Sequence, residues 1–426
     1  MNVLRIGSRG SEVELLQLAL QRAGYYAGSF DGVFGRATQN ALQSFQRSMG
    51  LNPDGVAGRL THAALHPWYT GYLSHRIRAG DTYYRLALRY NTGIRAIETA
   101  NPESRPDALS IGATLIIPLS FPVVPTNISY SSSLVRYCCQ GLTARYPFMS
   151  LGEMGKSVMG RSLYTLRLGQ GDIRVFYNAA HHANEWITTP VLLRYAEDLA
   201  HALAYEEDID GQDARELMAR CTVCLAPAVN PDGIDLVTGA LSTGPYYERT
   251  RSIADDYPEI PFPSGWKANI LGTDLNLQYP AGWSQAKEIK YAQGFISPAP
   301  RDYVGSAPLS AQESRSVYDF TLNFSPVLTL SYHTQGQVIF WKYLNYEPPL
   351  SRSIAYQLSQ VSGYAVEDTP YASGFAGYKD WFIQEFYRPG YTIEAGIGTN
   401  PLPLSQWDEI YADNRPLMTQ AMVALL

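Results

Sequence analysis

The sequence predicts an α/β domain built on a buried mixed sheet over about residues 127–426. Two small modules precede it, a three-helix unit at residues 1–66 and a βααβ unit at residues 74–119. Three observations carry this. At 426 residues the chain is too long for one small core. From residue 127 strand-like and helix-like apolar runs alternate (173–179, 187–203, 222–229, 311–323, 327–331, 338–341, 351–362, 391–394, 407–425), as in a sheet covered by helices. The stretch Leu119-Ser120-Phe121-Pro122-Val123-Val124-Pro125-Thr126 reads as a semi-stiff linker that separates this domain from what comes before.

In the first module Val13, Leu16, Leu20 and Ala23 share one helical face, and a second helix carries Thr38, Ala41, Leu42, Phe45 and Met49. Turns at 30–35 and 52–58 separate the helices, a short third helix is expected at 59–65, and 66–71 reads as a linker. In the second module a strand at 75–78 leads to a helix that Asp81 or Thr82 can cap. A second helix stops at Asn101-Pro102 and a strand at 114–117 ends at Pro118.

Composition excludes several classes. Net charge is -6 with no basic run, which argues against nucleic-acid binding. No apolar stretch reaches the roughly 20 residues that span a bilayer. The N-terminus has no apolar signal region, so a cytoplasmic protein is expected, with action in a sporulating cell or at the wall after release. Cys138, Cys139, Cys221 and Cys224 are expected to be buried or free thiols; Cys221 and Cys224 fall in a β-like run that turns them to opposite faces.

The chemistry centres on Ala180-His181-His182-Ala183-Asn184-Glu185-Trp186, between a strand and a long helix. A histidine and a glutamate three residues apart at such a junction can hold one ion, and a catalytic zinc uses three protein ligands and one open position. His333, at the end of the apolar run 327–333, is the third candidate ligand, while His181 would point the other way. Glu394, at the end of another apolar strand among small residues, is costly unless functional, and suits a general base that also returns the proton to a leaving amine.

These motifs together resemble the zinc carboxypeptidase family over about residues 127–426, through His182-x-x-Glu185-Trp186, Asn230-Pro231-Asp232-Gly233, Asp274-Leu275-Asn276 and Trp381 before Glu394. The resemblance implies a carboxypeptidase-like α/β/α fold and one Zn2+ per chain on His182, Glu185 and His333. It further implies that Asp274 orients His182, that Asn276 helps place substrate, and that a mobile loop tyrosine is Tyr371 or Tyr378. Lys379 matches the family's side-chain specificity position and implies a cation for the distal carboxylate of diaminopimelate. The first module, with Gly10-Ser11-Glu12-Val13 and Asp31-Gly32-Val33-Phe34-Gly35, resembles the peptidoglycan-binding three-helix domain, and the second resembles LysM domains, which bind N-acetylglucosamine-containing glycans.

Two departures sharpen the expectation. The carboxylate-clamping arginine of the exopeptidases is here Leu277, followed by Gln278, and the oxyanion-stabilising arginine is Lys267. The segment 266–283 is similar to the bacterial branch that cleaves γ-D-glutamyl–diamino acid bonds in peptidoglycan stem peptides. The expectation is therefore a zinc metallopeptidase of that specificity, anchored to wall glycan, with peptidoglycan strands and stem peptides as partners and neither nucleic acid nor membrane. Alternatives are a carboxypeptidase trimming free stem peptides and an inactive wall-binding protein.

Overall fold

Residues 2–426 are described by the computed structural model, in two compact units. One runs to Ser129 and resumes over Ser133–Leu151; the other comprises Tyr130–Ser132 and Gly152–Leu426.

The first unit begins with helices α1 (Ser11–Arg22), α2 (Arg36–Ser48) and α3 (Arg59–Thr70). Val13, Leu16, Leu20, Leu42, Phe45 and Leu65 are fully covered, as the helical periodicity demands. A repeat underlies this module. The buried Gln17 amide donates to Asp31 Oδ1, Val33 O and Thr38 Oγ1 and accepts from Gly32 N. Gln46 repeats the pattern with Asp54, Val56, Thr61 and Gly55. The two Asp-Gly turns are thus held by one device used twice.

The expected linker at 66–71 is instead helical, because α3 continues through Pro67 to Thr70 and ends at Gly71, whose φ of 77° places it in the left-handed region. Tertiary packing overrides the proline: Tyr69 is fully buried and stacks on Tyr137 with centroids 4.9 Å apart. Strand β1 (Tyr72–Arg76) consequently starts earlier than expected and pairs antiparallel with β2 (Thr114–Pro118), on either side of α4 (Tyr83–Tyr90) and α5 (Ile94–Ala100). Thr82 caps α4 by accepting from Arg85 N, while Asp81 pairs with His75 at 2.8 Å. The stretch 119–126 is not a free linker either. Val123 and Val124 are buried, and Arg145, at the end of α6 (Ser132–Arg145), donates to the carbonyls of Gly71, Leu119 and Phe121.

The second unit is organised by an eight-stranded sheet. Its strands are β3 (Ser150–Lys156), β4 (Ser162–Gly169), β5 (Ile173–Ala179), β6 (Cys221–Ala226), β7 (Leu328–His333), β8 (Val338–Phe340), β9 (Ala365–Glu367) and β10 (Gly390–Glu394), in the order β9-β8-β10-β7-β5-β6-β4-β3. The neighbours β10, β7, β5 and β6 run parallel. β6 and β7 are buried throughout, which is why they read as unbroken apolar runs. All four cysteines are free and buried. Register gathers the chemistry: Glu394 pairs with His333, and Ala179 with Tyr332, so three strand ends meet at one edge. Helix α7 (Thr188–Tyr205) follows the motif after β5.

Gln46→Ala is expected to lower stability by about 1–3 kcal/mol, because the Gly55 N–H and the Asp54 carboxylate lose a buried partner. Arg47→Ala, on the exposed face of the same helix, should leave the denaturant midpoint unchanged.

Candidate active site

Two backbone features turn the chain from β5 into the site. Ala180 adopts φ 54°, an uncommon value for a residue with a side chain, and swings the two histidines apart. His181 goes into the core, where Nε2 meets the Tyr279 hydroxyl at 2.9 Å. His182 goes to the cavity. Asn230 then fixes the turn: its side chain accepts from Gly233 N and donates to the carbonyls of His181 and Ala268. Gly233 has to be glycine because an added Cβ would lie 2.6 Å from Ala183 Cβ.

Around this turn His182, Glu185 and His333 converge, and their ligating atoms all lie within 4.8 Å of one another. Glu185 Oε1 is 2.9 Å from His182 Nδ1, and Oε2 is 2.8 Å from His333 Nδ1. The two Nδ1 atoms are 3.2 Å apart. Two imidazole nitrogens on one tetrahedral zinc stand about 3.4 Å apart, given bonds of about 2.1 Å. Both imidazoles present Nδ1, and a nitrogen-nitrogen-carboxylate set suits zinc, so these residues fit that ion. On its far side His182 Nε2 meets Asp274 Oδ1 at 3.1 Å, the outer partner that fixes ring orientation in such sites.

The electrostatics are tightly balanced. Burial alone would raise the Glu185 carboxyl, but the charges of His182, Lys267 and His333 hold it well below the usual carboxylate range. Burial would depress His182, yet Glu185 and Asp274 hold its imidazolium up at about 9. Burial keeps His333 low, against the pull of Glu185. Lys267 Nζ lies 3.0 Å from Glu185 Oε1, and that carboxylate with Asp274 raises the ammonium despite burial. Glu394 stands at the end of β10 on the cavity wall, and burial followed by the Glu185 charge pushes it up to about 8. A carboxyl that exchanges its proton near neutrality can act as both base and acid.

These groups line a cavity of about 740 Å³. Leu277 faces it, whereas Gln278 is buried, donating to Val304 O and accepting from Ala311 N. Asn276 is engaged already: Oδ1 accepts from Tyr378 N and Nδ2 lies 3.4 Å from His333 Nε2. Tyr371 lies on an exposed turn, 71% accessible, with its ring against Phe375, and borders a side cavity of about 330 Å³. Tyr378 is fully buried with its hydroxyl on Thr321, so it cannot be the mobile loop tyrosine. Lys379, expected to present a cation to the distal carboxylate of diaminopimelate, lines the cavity but already has partners. Its ammonium sits 2.7 Å from Asp380 and donates to Lys342 O and Thr369 Oγ1, because a buried ammonium needs a counter-charge. Sequence reasoning missed Arg301 and Asp302 on the cavity wall; they belong to no motif, and only the fold brings them beside Asp274.

A zinc carboxypeptidase family model matches residues 135–416, a peptidoglycan binding domain model residues 9–65, and a LysM domain model residues 75–118. The chain is 40% identical over 297 residues to gamma-D-glutamyl-L-diamino acid endopeptidase 1 of Lysinibacillus sphaericus, covering 69% of this chain and 72% of that protein. It is 34% identical over 296 residues to the uncharacterized protein YqgT of Bacillus subtilis, covering 69% and 77%. The fold also matches bovine thrombin-activatable fibrinolysis inhibitor, solved with tick carboxypeptidase inhibitor, at TM-score 0.54 and 17% identity over 69% of this chain and 96% of that one.

Two outcomes test this geometry. Purified protein should carry one zinc per chain by elemental analysis, and His333→Ala should lose most of it. In metal-stripped protein Glu394 binds its proton more tightly folded (about 8) than unfolded (4.5), so stability falls as pH rises between those values. Glu394→Gln should therefore match the parent in melting temperature near pH 4.5 and exceed it at pH 8.

Proposed function

The chain belongs to the zinc carboxypeptidase family, and on that premise we propose that it hydrolyses the bond between a γ-D-glutamyl group and a diamino acid in peptidoglycan stem peptides. The observation that carries this choice is the residue after Asp274-x-Asn276: Leu277 gives the cavity an apolar wall where a fixed cation would hold a terminal carboxylate, and Gln278 is spent in the core. A substrate that continues beyond the diamino acid is then accepted. The 40% identity to a protein named for that bond supports the same reading, as do two N-terminal modules of wall-binding families.

His182, Glu185 and His333 would hold the single metal. Zinc supplies a Lewis acid and an activated water there. Asp274 accepts from His182 Nε2 and keeps Nδ1 turned to the ion. Glu394 takes a proton from the attacking water on one carboxylate oxygen and delivers it to the leaving amine nitrogen of the diamino acid. Lys267, the ammonium nearest the trio, balances the negative charge that grows on the scissile carbonyl oxygen. Asn276 holds His333 and the cavity wall in place. Tyr371, exposed at the rim, closes over bound peptide. Lys379, neutralised by Asp380, reads the substrate only as half of an ion pair.

The modules at residues 1–66 and 74–119 bind wall glycan and raise the local concentration of stem peptide without entering the chemistry. No helix among the described residues is long and apolar enough to cross a membrane. We place the enzyme's action at the cell wall.

The test is incubation with L-Ala-γ-D-Glu-meso-diaminopimelate and its D-Ala-extended form, products read by mass spectrometry. Release of L-Ala-D-Glu from both is expected, lost on chelation, restored by zinc, and reduced at least about 10³-fold in Glu394→Gln. Release of D-Ala alone would make the protein a carboxypeptidase. No product from zinc-loaded protein would make it a binding protein.

A further inference from the structure

A further cationic side chain faces the cavity, on the segment bonded to Lys267. Arg301 lines it with 44% of its side chain accessible. Its Nε is bound to Asp302 Oδ2 at 2.5 Å, while its terminal nitrogens donate no hydrogen bond to the protein among the described residues. The segment carrying it is built with unusual care. Pro300 O accepts from both Lys267 N and Ala268 N, tying it to the lysine beside the metal trio. Asp302 is buried, held by Lys290 at 2.6 Å, and its backbone N–H donates to Asp274 Oδ2. Asp302 also adopts φ 63°, in the left-handed region that aspartate enters more readily than most residues.

A γ-linked glutamyl residue keeps its α-carboxylate free, a few carbons from the reacting carbonyl, where an ordinary peptide has a neutral amide. Lys267 is the cation placed for that carbonyl, and Arg301 lines the same cavity on the segment whose Pro300 O accepts from Lys267 N. We propose that the free fork of Arg301 binds the α-carboxylate of the γ-D-glutamyl residue and so selects γ-linked over ordinary peptide bonds. This rests on the bond assignment above and adds to it the group that recognises the acyl half.

The experiment compares L-Ala-γ-D-Glu-meso-diaminopimelate with its counterpart whose glutamyl α-carboxylate is a carboxamide, using zinc-loaded full-length protein. Wild type should favour the carboxylate by about 10–100-fold in kcat/KM, the worth of one charge-assisted pair. Arg301→Gln should bring that ratio close to one by losing rate on the carboxylate substrate alone, and Arg301→Lys should keep part of it. A merely structural arginine would slow both substrates alike and leave the ratio unchanged, which would overturn the proposal. So would a wild-type ratio near one. If wild type cleaves neither substrate, the bond assignment falls and this inference with it, whereas cleavage at an unchanged ratio removes this inference alone.

Discussion

A carboxylate buried as deeply as Glu185, 1% accessible, cannot stand without cations and hydrogen-bond donors. The domain is arranged to provide them from three separate parts of the chain. His182 lies three residues before it, His333 comes from the end of β7, and Lys267 from a loop more than eighty residues downstream. The Glu185 oxygens face two Nδ1 atoms that are themselves only 3.2 Å apart, a spacing two imidazoles tolerate when a proton or an ion lies between them. Zinc is therefore the natural resolution of a charge arrangement that burial has already imposed.

That arrangement holds only because backbone geometry is exact to the residue. A slip of one position in the parallel pairing of β10 with β7 would move Glu394 off His333 and turn its side chain to the other face of the sheet. The burial of β5, β6 and β7 within the sheet makes such a slip expensive. The loop side is pinned in the same spirit by hydrogen bonds. Ala183 N donates to Lys267 O, Asn230 bridges to Ala268, and Pro300 O accepts from Lys267 N. The electrophile, the metal motif and the wall that carries Arg301 are one connected backbone network.

The parts of this that sequence made legible are those where polarity violates its surroundings. Glu394 ends an apolar strand, His333 ends another, and His182 and Glu185 interrupt a strand-helix junction; each is costly unless used, so each stands out without coordinates. The illegible parts depend on neighbours that only folding supplies. Lys379 reads as an available cation until Asp380 is found to neutralise it, and Tyr378 reads as a loop residue until it is found in the core. Residues 66–71, with Pro67, read as a linker, but the burial of Tyr69 outweighs the missing hydrogen bond and the helix continues. Arg301 carries no signal at all, because an arginine in a loop is ordinary and the residues that hold its neighbour Asp302, Lys290 and Asp274, lie elsewhere in the chain.

The placement of fixed charge around the cavity then bears on which substrates the scaffold admits. On the cavity wall Leu277 is apolar and the Lys379 ammonium is neutralised by Asp380. Lys267 and Arg301 each pair with one carboxylate, Glu185 and Asp302, and Arg301 does so through Nε, which leaves its terminal nitrogens toward the cavity. With Arg301 assigned to the glutamyl α-carboxylate as proposed above, recognition by charge falls on the acyl half of the substrate rather than on its leaving half. For a peptide whose leaving half is cross-linked and variable in length, while its acyl half always ends in the same γ-linked acidic residue, that is the side on which a fixed cation discriminates.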